Sequence, residues 1–249
     1  MTSESASTSS STSPSTSEST RPTTRTTTWG VLPAATSILA VTARPGQESA
    51  ELGGVLQAFR QTGATLNLLC LTRGEAGASS SGTARLEAVR PWEVQLAASI
   101  LGIHEVGVAN YRDGALPSYR VADLAERIHR AIRQLEPDIV LVIAPEAGDS
   151  GDVAVARAAT AAASRAGLPA VARTRWDAAG AWTVSLGENA EILRAIQHSA
   201  VAAHTSQSEL LPALIQRLDL LEDEESLRWL LFPRHTPAQR SGELVPAGS

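Results

Sequence analysis

The sequence predicts an α/β fold, a Rossmann-like three-layer αβα domain with a mostly parallel sheet. Short apolar runs bounded by Gly and Pro recur along the chain, as expected for strands buried on both faces. Between them lie longer stretches with helical spacing, and strand–helix–strand repetition implies a parallel sheet covered on both sides. The chain has 249 residues, 43% of them hydrophobic, so one substantial core can be buried.

The first strand is residues 37–43, Ser-Ile-Leu-Ala-Val-Thr-Ala. Residues 48–62 have helical spacing, with Leu52, Val55, Leu56 and Phe59 on one face, and Gly63 stops them. A second strand at 65–72 leads into a Gly- and Ser-rich loop at 73–83. The helix at 84–101 contains Pro91, whose missing amide proton predicts either a kink or a start near that residue. A short strand follows at 106–109 and an amphipathic helix at 119–135. Residues 138–144, Asp-Ile-Val-Leu-Val-Ile-Ala, form the clearest buried strand, and 152–166 an Ala-rich helix. Beyond Gly167 the pattern loosens to a strand at 182–186 and helices at 188–203 and 208–221. No internal repeat or second domain is legible within 29–233. In open sheets of this kind ligands sit beyond the carboxyl ends of the strands. The loops after Ala43 and Ala144 should therefore face one pocket.

Composition narrows the function. The net charge of -5 is mild and no basic stretch is clustered, so nucleic acid is not an expected partner. All 21 basic residues are Arg, which excludes a Schiff-base lysine and a Walker-type phosphate loop. No Gly-x-Gly-x-x-Gly follows the first strand, so a dinucleotide is not expected either. The lone Cys70 lies in an apolar strand-like run and reads as a buried structural thiol. Residues 1–28 are a Ser/Thr tract whose only apolar residue after Met1, Pro aside, is Ala6, expected to be a disordered solubilising tail and not a secretory signal. Residues 234–249, rich in Pro and Gly, read as a flexible tail. The longest apolar run is too short to span a bilayer. The expectation is a soluble, cytoplasmic chain without a membrane partner.

Several short motifs stand on this framework. Arg44-Pro45-Gly46-Gln47-Glu48 follows the first strand, with Leu52-Gly53-Gly54 after it. Leu71-Thr72-Arg73-Gly74-Glu75-Ala76-Gly77 closes the second. Arg90 and Glu93 precede Ala97, Ala98 and Leu101-Gly102, and Asp113-Gly114 comes with Leu116. Pro137-Asp138-Ile139-Val140 opens the central strand, and residues 197–207 read Gln-His-Ser-Ala-Val-Ala-Ala-His-Thr-Ser-Gln. In this order and at these distances they resemble the PIG-L/LmbE-like family of zinc-dependent sugar and mycothiol deacetylases and amidases, over roughly residues 37–207. They stand where that family has His-Pro-Asp-Asp-Glu with Gly-Gly, Thr-Asp-Gly-Glu-Ala-Gly, Arg-x-x-Glu, Asp-Gly-x-Leu, Pro-Asp-Val-Val and Lys-x-x-Ala-x-x-x-His-x-Ser-Gln.

The resemblance implies a definite chemistry. Two His and one Asp hold Zn²⁺ at an open site, lowering the pKa of bound water toward ~7. A neighbouring Asp takes the water's proton and a further His stabilises the oxyanion. Carried over residue by residue, Arg44 stands at the first ligand His, Gly46 at the general base and Gln47 at the ligand Asp. The family's His-Pro-Asp-His corresponds to Asp149-Ser150-Gly151-Asp152, so Asp149 stands at the oxyanion His and Asp152 at the third ligand. Only Asp152 is an ordinary ligand type, and a guanidinium at 44 would repel Zn²⁺ by roughly several kcal/mol at close range. Losing the base alone slows turnover about 10²–10⁴-fold; losing the ligands removes the site.

The expectation is therefore a degenerate zinc site, with zinc lost and the chain inactive, binding a sugar-like molecule or a protein partner. The alternative is a metal-dependent deacetylase or amidase on an N-acyl sugar or thiol conjugate, using a changed ligand set. A third reading is a structural partner that scaffolds an active homologue by heterodimerising, and either a homo- or a hetero-oligomer is an open expectation.

At the residue level, Arg44 facing Asp149 and Asp152 predicts an ion pair in the vacated pocket, against solvated loop residues as the plain alternative. Glu48, Asp149 and Asp152 offer oxygens for a hard cation such as Mg²⁺ or Ca²⁺. Asp149 and Asp152 read equally well as the N-cap and first-turn acids of the Ala-rich helix. The resemblance puts Arg90, Asp113 and His204 at the substrate. Their plain readings are an ion pair with Glu87 or Glu93, a turn-forming Asp-Gly, and packing. The five His assemble no zinc site by sequence, and His129, in a charged helix, reads as a surface residue.

Overall fold

Ser37–Thr42 (β1) is an apolar hexapeptide that pairs on both edges, in parallel with Thr65–Thr72 (β2) on one side and Ile139–Ile143 (β4) on the other. Ile103–Tyr111 (β3) extends the sheet beyond β2, and Ala170–Arg173 (β5) extends it beyond β4, both in parallel. Glu224–Leu231 (β7) then runs antiparallel to β5, and Trp182–Ser185 (β6) antiparallel to β7. The result is one seven-stranded sheet in the order β3-β2-β1-β4-β5-β7-β6. The computed structural model describes residues 28–76, 83–175, 177–207, 215, 216, 218 and 223–233.

Strand side chains alternate between two helical layers, which is why the central strands read as unbroken apolar runs. Leu39, Val41, Val140 and Val142 face Val121–Leu135 (α4) and Ser150–Ala166 (α5), packing on Leu124, Ile128 and Ala159. Ile38, Ala40, Leu66 and Leu141 face the opposite way. There they meet Gly53–Gln61 (α2), Thr83–Leu101 (α3) and Ala190–Ala202 (α6), through Leu56, Phe59, Val94 and Ala200. Each large aliphatic side chain so buried contributes about 1.5–3 kcal/mol. The Ala-rich face of α5 lets that helix lie close to both the sheet and α4.

Several elements differ from the sequence expectation. The single helix at 48–62 is two, Gln47–Ala50 (α1) and α2. All four residues of α1 are buried, so its polar side chains turn inward for partners and the one-faced pattern fails there. The third helix runs through Pro91 from Thr83 and does not begin at it. α5 starts at Ser150, two residues early, because Asp149 caps it. β3 is longer than 106–109. β5 and β7 escaped the sequence reading: β5 has only four residues, and β7 opens with two Glu. His129 is buried at the rim of the inward arc of α4, one position round from Ile128, and is not a surface residue. The expected tails (save Thr28), much of the 73–83 loop and most of the 208–221 helix lie outside the described residues. Among the described residues no helix is long and apolar enough to cross a membrane.

β1 lies between β2 and β4, so the chain crosses over in opposite directions on its two sides. This is the topological switch at which α/β sheets open a crevice. The loops leaving β1 and β4 meet there.

Candidate functional site

The two loops enclose a cavity of about 320 Å³, lined by Arg44, Pro45, Gly46, Gln47, Ala50 and Glu51 from one side and Ile143, Ala147, Gly148, Asp149 and Asp152 from the other. Gln207, from a 3-10 turn at Thr205–Gln207, completes the wall.

The first loop is held by its own side chains. Gly46 adopts φ +95°, a left-handed conformation that glycine alone enters freely, and it reverses the chain into α1. A Cβ there would stand 2.9 Å from Gln207 Nε2, so a side chain would be strained by its backbone and would have to move the Gln207 amide aside. Gln47 Oε1 accepts from the backbone amides of Ala43 (3.0 Å) and Arg44 (3.1 Å). Its Nε2 donates across the cavity floor to Asp152 Oδ1 at 2.8 Å. Glu48 is fully buried and points away from the cavity: Oε2 accepts from Gly46 N (2.9 Å), and Oε1 lies 2.7 Å from His204 Nε2. Glu48 thus does not join Asp149 and Asp152 in an oxygen cluster.

The second loop closes α5 with a reciprocal capping box. Asp149 Oδ1 accepts from Gly151 N (2.8 Å) and Asp152 N (3.2 Å), while Asp152 Oδ2 accepts from Asp149 N (2.9 Å). Asp149 Oδ2 also accepts from Arg44 Nη1 at 2.5 Å. The expected ion pair therefore forms with one of the two carboxylates, and Asp152 is bound by Gln47 instead. Burial opposes the charge on Arg44, but Asp149, with help from Asp152 and Asp113, outweighs it and holds the guanidinium above its ordinary pKa. Burial likewise pushes Asp149 upward, yet the bond and charge of Arg44 and the two amides carry it below the carboxylate range. Asp152 is raised, chiefly by burial, which outweighs the bonds from Asp149 N and Gln47 and the more distant charge of Arg44.

Arg90, Asp113 and His204 do not line this cavity. Arg90 is buried and donates to the Gly74 carbonyl and to Ser206 Oγ (3.3 Å), and burial lowers its pKa. Its neighbour Glu93 accepts from Thr205 Oγ1 (2.9 Å) and from Ser206 N and Oγ (both 2.7 Å). Together they clasp the turn that presents Gln207. Asp113 accepts from Ala76 N (3.2 Å) and Gly114 N (3.0 Å), pinning the loop after β2.

A largely sheltered charge chain, missed by sequence reasoning, backs the site. Glu51 of the cavity wall meets Arg173 at 3.2 Å, Arg173 meets Glu225 at 3.6 Å, and Glu225 meets Arg194 at 2.6 Å. Arg194 also donates to Gln197 (2.7 Å), whose amide reaches the Ser49 carbonyl (2.9 Å). Gly54, the second glycine of the Gly-Gly after the first loop, sits against this chain: a Cβ there would overlap the Glu225 carboxylate and the Arg194 guanidinium.

The donor set at residues 44, 47 and 152, the ligand positions that the resemblance implies, does not fit zinc. A guanidinium has no lone pair to give, and the Gln47 oxygen is held by two backbone amides. Asp152 alone offers a carboxylate. Among the described residues, no group of three or more His, Cys, Asp and Glu is placed to hold a metal ion.

A family model described as GlcNAc-PI de-N-acetylase, PIG-L, matches residues 39–163. A probable N-acetyl-alpha-D-glucosaminyl L-malate deacetylase 2 of Bacillus anthracis is 30% identical over 113 residues, 43% of this chain. The match covers 50% of that relative, so the chain spans about half the length of the curated protein it resembles. Among solved structures, a conserved protein of Thermus thermophilus superposes with TM-score 0.64 at 23% identity, over 82% of this chain and 99% of the other. The N,N'-diacetylchitobiose deacetylase of Pyrococcus horikoshii gives TM-score 0.64 at 16% identity, over 82% and 88%. At these identities the structural matches speak for the fold alone.

Proposed function

The chain belongs to the PIG-L family, and we propose that it is a member in which zinc-dependent hydrolysis has given way to binding of a small polar, sugar-like molecule in the cavity between Arg44 and Asp152. Gly46 carries this reading. It occupies the family's general-base position, its backbone lies at φ +95°, and the Gln207 amide packs where a side chain would begin. That residue offers no proton acceptor, whatever ion is supplied. The carboxylates nearby are engaged, Asp149 by Arg44 and Asp152 by Gln47. The loss of a base costs about 10²–10⁴-fold in rate.

What remains in the wall suits hydroxyl groups. Arg44 and Asp149 are each partly exposed and have hydrogen-bonding capacity to spare, and Gln207 contributes an amide. Charge-assisted bonds to hydroxyls are stronger than neutral ones. A cavity of about 320 Å³ accommodates one small molecule of monosaccharide size.

The test is amine release from N-acetylglucosamine and related N-acyl sugars by the purified full chain, with and without added zinc, alongside calorimetric titration with the same sugars. The reading expects no amine release, and saturable binding that Arg44→Ala weakens at least about tenfold, the loss of one charge-assisted bond. Zinc-dependent amine release would overturn it.

A second reading is favoured by the Bacillus anthracis relative, which is named a probable deacetylase. In it the chain is a metal-dependent deacetylase or amidase of N-acyl sugars or thiol conjugates, with Asp149 and Asp152 as oxygen ligands. Asp149 would then have to leave Arg44. Chelator-sensitive amine release that disappears in Asp149→Ala would decide for it.

A further inference from the structure

We infer that the Gln47 carboxamide takes over the bracing role that an ion plays in a metal-holding site, joining the loop after β1 to the first turn of α5 and closing the space between them to divalent cations. This rests on the metal-free reading above and supplies its physical cause. Gln47 and Asp152 are 7% and 4% exposed, so the bond between them is sheltered from water. The path is continuous: the amides of Ala43 and Arg44 donate to Gln47 Oε1, Gln47 Nε2 donates to Asp152 Oδ1, and Asp152 Oδ2 accepts from the amide of Asp149. A second tie, Arg44 to Asp149 at 2.5 Å, spans the same two loops nearer the surface.

The carboxamide is suited to this position by its chemistry. It must accept from two backbone amides at one end and donate to a carboxylate at the other, which a carboxylate, a thioether or an alkyl group cannot do. An ion that took Asp152 Oδ1 would displace Gln47 Nε2 and leave a buried donor without a partner. It would also stand beside the permanent charge of Arg44. Both costs fall on the cation, so the space is closed by construction and not by lack of supply.

Gln47→Met keeps the length and removes all three hydrogen bonds. The full chain carrying it should melt about 5 °C below wild type. Amide hydrogen exchange at Ala43 and Arg44 should quicken at least about tenfold while the amides of β4 keep their protection, a local effect that general destabilisation does not give. Wild type should melt at the same temperature in EDTA and in zinc chloride. The inference is overturned if Gln47→Met melts with wild type and leaves the two amides protected, or if zinc raises the wild-type melting temperature and Asp152→Ala abolishes the rise. Should Gln47→Met fail to fold, the zinc comparison on wild type and Asp152→Ala decides alone. Amine release by a chain whose melting ignores zinc would sink the binding reading and leave the brace standing. Zinc-stabilised melting through Asp152 without amine release would sink the brace alone.

Discussion

Replacing Gly46 by Ala measures how firmly a glycine is built into the first loop. At φ +95° a residue with a Cβ is strained by about 1–2 kcal/mol. The new methyl would also lie 2.9 Å from Gln207 Nε2 and 3.3 Å from its Oε1. That amide donates to the Pro45 carbonyl at 3.2 Å, and moving it aside forfeits a bond worth about 1 kcal/mol. The sum is about 2–3 kcal/mol, or a fall of about 4–12 °C in Tm for a domain of this size. Circular-dichroism melts of the full chain at pH 7 provide the assay. In the double variant Gly46→Ala/Gln207→Ala the contact share vanishes and the backbone share stays, so the two changes should fall short of additivity by about 1 kcal/mol. Gly46→Asp should lose at least as much as Gly46→Ala and gain no amine release. If Gly46→Ala melts within about 1 °C of wild type, the position is open to a side chain and the reasoning is wrong.

Other outcomes follow from the same geometry. Glu225→Ala removes the carboxylate shared by Arg194 and Arg173, leaving Arg173 to Glu51 and Arg194 to its amide and carbonyl partners, and should cost about 1–3 kcal/mol in urea denaturation; no measurable loss would contradict the charge chain. Asp149, held below the ordinary carboxylate range when folded, adds stability that is fully present above its unfolded pKa of about 3.9 and is lost as pH falls through the lower folded value. The gap in Tm between wild type and Asp149→Asn should therefore be widest near neutrality and close in strong acid, and a gap independent of pH would count against the pair. Burial drives the Cys70 thiol well above its usual pKa. It should react with Ellman's reagent at pH 8 only after denaturant is added, and rapid labelling of the native chain would show that β2 is not where it is placed.

Much of the framework was legible because burial writes itself into apolar periodicity. β1, β4 and α5 are continuous apolar or Ala-rich runs, and their order alone located the cavity beyond Ala43 and Ala144. β7 was hidden for the opposite reason. Its first residues are Glu224 and Glu225, and the buried carboxylate of Glu225 is made tolerable by Arg194 and Arg173 from distant elements. No local pattern reports such a partnership. The ion pair between Arg44 and Asp149 followed from complementary charge, but its exclusion of Asp152 did not, because the reach of Gln47 depends on where α5 begins. The resemblance puts Arg90 at the substrate and its spacing alone suggests a helix ion pair; neither foretells that its guanidinium donates to the Gly74 carbonyl and Ser206 Oγ, because both partners lie on other elements. Gln207 stood at the end of a motif whose His drew attention first. It is Gln207 that reaches the cavity, while His204 pairs with Glu48 behind it.

The most direct measurement is an anomalous difference map, recorded at the zinc absorption edge from crystals grown in millimolar zinc. The account predicts no peak between residues 47 and 152, with the Gln47 amide still within hydrogen-bonding distance of Asp152. A full-occupancy peak bonded to Asp152, with Gln47 swung out of the way, would contradict it.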